Sequence, residues 1–156
     1  MNRHRRMIEV ALGALALALS TSVAFAPAIA SDAGGPAEIR ANFVGCPNTK
    51  GLVKCAIYNS ADGFPTDRSK ITQNAAGKVT GNSAVCVFKG LPPGTYAIAA
   101  FQDEDGTGEM RKNMLGLPQE VYGFSNDARA TLSAPSFQAA AFNYPGGTMD
   151  LTIHAK

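Results

Sequence analysis

Residues 91–126, LPPGTYAIAAFQDEDGTGEMRKNMLGLPQEVYGFSN, restrict the possible folds more than any other part of the chain. Leu91-Pro92-Pro93-Gly94 has the composition of a tight turn, because proline presets φ and glycine accepts the positive-φ position. Residues 95–101 follow as β-branched, aromatic and small apolar residues without a break, the pattern of a strand covered on both faces. Asp103, Glu104 and Asp105 then put carboxylates on a glycine-rich loop just past that strand's end. Residues 115–126 lack a regular period but hold Leu117, Pro118, Tyr122 and Phe124, the anchors of an ordered loop packed by its own aromatics.

The rest of the chain reads as further strands. Ala37, Ile39, Ala41 and Phe43 alternate with polar residues, a half-buried strand. Residues 52–58 form a second, and the short connection through Pro47-Asn48 makes the two a hairpin. Residues 59–70 are an open loop, a short strand falls within 71–80, and a firmer one covers 82–89. Ser136 is a candidate cap for a short helix reaching Phe142, stopped by Tyr144-Pro145-Gly146-Gly147. Met149, Leu151 and Ile153 alternate in a closing edge strand. With no βαβ spacing, the expected class is all-β: an antiparallel seven-strand β-sandwich with one short helix near the C-terminus.

A basic head (Arg3, Arg5, Arg6), an apolar run over residues 10–19 and Ala28-Ile29-Ala30 compose a secretory signal peptide cut after Ala30. An uncleaved anchor is the alternative, weakened by Ser20, Thr21, Ser22 and Pro27. The expected organisation is thus residues 1–30 signal peptide, 31–36 flexible leader and 37–156 a single domain. The signal takes three of fourteen basic and one of twelve acidic residues, so eleven of each remain and the mature charge is near zero. That balance lacks the basic surface that nucleic acid or anionic lipid demands, and the membrane is met only during export. The expected location is periplasmic or secreted.

Export takes Cys46, Cys55 and Cys86 to a compartment where disulfides persist. Cys55 alternates with Val53 and Ile57, and Cys86 with Ala84 and Phe88, so both face the core and Cys55–Cys86 is the favoured pair. Pairings through Cys46, and three reduced apolar fillers, are the alternatives.

The acidic loop matches the start of a calcium loop. Asp103, Asp105 and Thr107 stand at alternate positions, Gly108 permits the sharp turn, and Glu109 offers a carbonyl. The match ends at Arg111 and at Met114, where a bidentate carboxylate belongs, so further ligands would come from Glu104, Glu109 or Glu120. The alternative is a solvated turn that uses Asp and Gly for backbone reasons. Tyr122, Phe124, Ser125 and Asn126 suit a ligand-binding rim that stacks and hydrogen-bonds, against a loop that folds its aromatics under itself. Catalysis finds little support: His154 is the only histidine after the signal, and Ser125 lacks the second glycine of a nucleophile elbow. No catalytic residue is assigned.

The strings LPPGTYAIA, DEDGTG, GLPQEVYGFSN and APSFQAAAF resemble an exported bacterial family of unknown function, over about residues 37–153. The turn and strand LPPGTYAIA is also similar to the corresponding element of prealbumin-like and carboxypeptidase-regulatory-like sandwiches, which implies the fold but no activity. Family members read His-Asp-Glu-Asn-Gly-Asn-Gly, then an apolar pair and an aspartate. Here Gln102 replaces the histidine, Asp105 and Thr107 the asparagines, and Arg111 that aspartate, so a cation held by the family loop would be held more weakly. The expectation is a non-catalytic module binding an envelope ligand or protein, with calcium as its one candidate cofactor. The alternatives are a structural envelope component and a carboxylate-based hydrolase.

Overall fold

The computed structural model describes residues 37–129 and 133–156; the expected signal peptide and leader lie outside them. Eight strands follow in order: β1 (Glu38–Val44), β2 (Leu52–Tyr58), β3 (Gln73–Lys78), β4 (Ser83–Lys89), β5 (Gly94–Asp103), β6 (Tyr122–Phe124), β7 (Phe142–Tyr144) and β8 (Thr148–His154). One short helix, α1 (Phe137–Ala140), precedes β7, and Ser136 caps it by accepting from the Ala139 N–H at 3.2 Å. No helix among the described residues is long and apolar enough to cross a membrane.

The strands form two sheets. One has the order β4-β1-β8; the other has β3-β2-β5-β6, with β7 also paired to β5. Alternation fixes which side chains turn inward. Ile39, Ala41 and Phe43 of β1 stand opposite Phe88, Cys86 and Ala84 of β4. Together with Ile153 they meet Val53, Cys55, Ile57, Ile98 and Ala100 of the other sheet in one buried cluster. Cys55 and Cys86 are bridged across that core, as their alternation predicts, while Cys46 is free and buried. Burial pushes the Cys46 thiol above its usual range, with its backbone hydrogen bond opposing.

Three expectations about the architecture are corrected. The described residues hold eight strands, not seven, because β6 and β7 each have only three residues and show no period. The pairing is mixed, because β1 runs antiparallel to β4 but parallel to β8. And β1 and β2 are not a hairpin: β2 pairs with β3 and β5, in the other sheet. Residues 45–51 carry the chain over the end of the core, entering and leaving at Gly45 (φ 98°) and Gly51 (φ 62°). The amides of Gly45 and Cys46 both donate to the Asn82 carbonyl at 2.9 Å, which fixes the crossing. The two apolar rows thus face each other across the core instead of lying side by side.

A second apolar cluster lies on the outer face of β5. Ala97, Phe124, Ala128 and Ala140 are buried there under Phe64 and Phe137. Phe64 meets Tyr58, Phe124 and Phe137 edge-on, with centroids 5.3, 6.1 and 5.8 Å apart. The expectation that β5 is covered on both faces therefore holds at Tyr96, Ala97 and Ile98, while Thr95 before them is exposed.

Candidate metal centre and ligand groove

The register of β5 decides where the acidic loop sits. Phe101 is paired with Tyr122, and the Gln102 N–H donates to the Val121 carbonyl at 3.0 Å. Continued by one step, that ladder sets Glu120 opposite Asp103 on the same face. Asp103 is fully buried and Glu120 is 4% exposed. One carboxylate oxygen from each of Asp103, Asp105 and Glu120 lies within 4.8 Å of the others.

Each carboxylate is fixed by backbone donors. Asp103 Oδ2 accepts from the Gly108 N–H at 2.9 Å. Glu120 Oε1 accepts from the Glu104 N–H and Oε2 from the Arg111 N–H, both at 3.1 Å. The Arg111 Nε lies 3.2 Å from both Glu120 Oε1 and Asp105 Oδ2. Hydrogen bonding from Thr107, through its side chain and then its amide, holds the Asp105 carboxyl below the usual range. Gly51 braces the loop from below, where an added Cβ would fall 1.8 Å from the Asp103 carbonyl oxygen. Asn48 Nδ2 donates to Glu104 Oε1 at 3.0 Å, and Gln102 Nε2 donates to the Asn48 and Lys50 carbonyls.

Of the four residues assigned to a cation from the sequence, Asp103 and Asp105 come together. Thr107 turns its hydroxyl to the Glu109 carbonyl at 3.1 Å, and the Glu109 carboxylate pairs with Arg68 at 3.2 Å. Glu120 and Arg111 replace them at the cluster. Glu120 is one of the three further carboxylates offered by the sequence, and the strand register, which puts it two residues before Tyr122, singles it out.

The four rim residues divide similarly. Tyr122 and Phe124 line an open groove of about 1080 Å³ on the outer face of the five-stranded sheet, shared with Glu109, Met110, Lys112 and Leu117. Its floor is alanine: Ala56 of β2, Ala76 of β3 and Ala99 of β5. Ser125 and Asn126 instead hold the scaffold. Ser125 is buried, accepts from the Ile98 N–H at 2.9 Å and donates to the Ala140 carbonyl at 2.5 Å. Asn126 Nδ2 donates to the Ala141 carbonyl at 2.6 Å.

Leu117 and Pro118 do not anchor their loop, as both are exposed. Asn113 orders it instead: its Oδ1 accepts from the Leu115 and Leu117 amides at 2.9 and 3.0 Å, leaving Met114 and Leu115 in solvent. His154 is exposed as expected and pairs with Asp127, Nδ1 to Oδ2, at 2.7 Å.

No curated protein and no solved structure matches the chain. A family model covers residues 41–152, from the middle of β1 through the acidic loop and β6 to most of β8, and by that match the chain belongs to the family described as uncharacterized protein conserved in bacteria (DUF2141).

Proposed function

We propose that this chain is an exported, non-catalytic binding module whose working surface is the groove on the outer face of the five-stranded sheet. The observation that carries this reading is the continuity of one lining: Glu109, Met110 and Lys112, which follow the acidic loop, share it with Tyr122 and Phe124 of β6. The occupant on this reading is an elongated apolar molecule with an anionic group. Small alanines leave a flat apolar floor, and the rings of Phe101, Tyr122 and Phe124 supply walls. Lys54, Arg68 and Lys112 line the groove against one carboxylate, Glu109, which Arg68 already pairs. That excess of positive charge favours an anion. Ordered but exposed Leu117 at the mouth, with Met114 and Leu115 beyond it, adds apolar surface available to a ligand.

Export is part of the same reading. The Cys55–Cys86 bridge supports it, because such bridges persist in oxidising compartments. Two sheets facing each other across one core support a prealbumin-like framework.

Dodecanoate is a suitable probe, titrated calorimetrically into the purified chain. Saturable binding at one site is expected, weakened roughly tenfold by Leu117→Ser or Lys112→Glu, a loss of about 1.4 kcal/mol. Both positions are exposed, so far-UV circular dichroism should be unchanged in the variants. Absence of saturable binding, or equal affinity in wild type and both variants, would overturn the proposal.

A further inference from the structure

We propose that Asp103, Asp105 and Glu120 form a calcium site, in which Arg111 is an internal cation that the metal displaces. The site stands whether or not the groove takes a ligand.

Three observations converge. The first is convergence of oxygens: one from each carboxylate lies within 4.8 Å of the other two. They come from the last residue of β5, the loop behind it and the segment entering β6, and the β5–β6 ladder brings them together before any ion arrives. The second is an unfilled valence. Asp103 is fully buried, its Oδ2 takes the Gly108 N–H, and its Oδ1 has no hydrogen-bond partner among the described residues. A buried carboxylate oxygen without a donor is costly, and a metal ion is the partner that removes the cost without adding a hydrogen. The third is charge. Arg111 pairs with Asp105 and Glu120, and among the described residues no ion pair reaches Asp103. One guanidinium therefore faces three carboxylates, and a doubly charged ion balances the cluster better.

The donor set selects the metal class. All three ligands are carboxylate oxygens, which suits hard cations. They come from three separate segments, and Asp105 is open to water, which leaves room for further oxygens from solvent. Calcium accepts six to eight oxygens in irregular geometry and completes its shell with water, whereas magnesium demands a near-ideal octahedron. Arg111 contacts two of the ligands with its side chain but also anchors Glu120 through its backbone N–H. Truncating the side chain therefore removes the competing charge and keeps the anchor.

The test is calorimetric titration of calcium into the chelator-treated chain, with magnesium in parallel and circular dichroism as the control for folding. Wild type should bind one calcium, and more tightly than magnesium. Asp105→Asn and Glu120→Gln should bind at least tenfold more weakly, and Arg111→Ala roughly tenfold more tightly, because the metal no longer competes with a guanidinium. Asp105 is exposed, so its variant keeps the test meaningful if Glu120→Gln fails to fold. No calcium heat at millimolar concentration in both folded wild type and folded Arg111→Ala would overturn the site. Unchanged affinity in Arg111→Ala would overturn the role given to the arginine.

Discussion

Ser125 repairs a defect in the sheet with one hydroxyl. Along one edge of β5, β7 pairs with Gly94–Tyr96 and β6 with Ala99–Phe101, and neither reaches Ile98. The Ser125 hydroxyl accepts the Ile98 N–H in that gap and donates to Ala140. Ser125→Ala leaves a buried amide without a partner, so a loss of about 1–3 kcal/mol is expected in urea unfolding. Asp127 does comparable work for the chain end. Burial draws its carboxyl upward, but the His154 amide and ring, with Lys156, outweigh it and hold it below the usual range. A carboxyl depressed in the folded state stabilises above its unfolded value of about 3.9 and loses that contribution as pH falls through the folded value. Urea midpoints between about pH 5 and pH 2 should therefore fall less steeply for Asp127→Asn than for wild type. Asparagine also tolerates the left-handed backbone that Asp127 adopts at φ 49°, so the variant tests charge and not conformation.

Elements were legible in proportion to their length. β1, β2, β4 and β8 run for seven residues each, and the sequence pattern places their ends to within one residue. The three-residue strands β6 and β7 carry no period and form because β5 offers an open edge, which is information held elsewhere in the chain. The helix ends at Ala140, short of Phe142, because residues 142–144 are drawn into pairing with β5. The false hairpin has the same origin. Alternation reports which side chains turn inward and is silent on which sheet a strand joins. For the candidate site, Asp103 and Asp105 could be read from spacing, but Glu120 depends on the β5–β6 register and Arg111 on the fold of the loop.

At the scale of the molecule, the two sheets are tied by Cys55–Cys86, which closes 31 residues of sequence. On the loop-entropy account that bridge contributes about 3–4 kcal/mol. The double variant Cys55→Ala/Cys86→Ala should unfold at correspondingly lower urea concentration, and reductant should lower the wild-type midpoint without affecting the variant. A midpoint for wild type that ignores reductant, with the thiols shown to be free, would refute this. The sheets also close on each other at one corner, where Gly77 of β3 sits so near β4 that a Cβ would lie 2.4 Å from the Val85 carbonyl oxygen.

β1 lies in the middle of its sheet, and one of its two flanks is β8, running alongside it from Glu38↔Thr148 to Val44↔His154. A ribosome therefore delivers the middle of this layer more than a hundred residues before one of its neighbours. Vectorial assembly cannot finish that layer as it emerges, and the nascent polypeptide keeps an unsatisfied flank until β8 itself has been made.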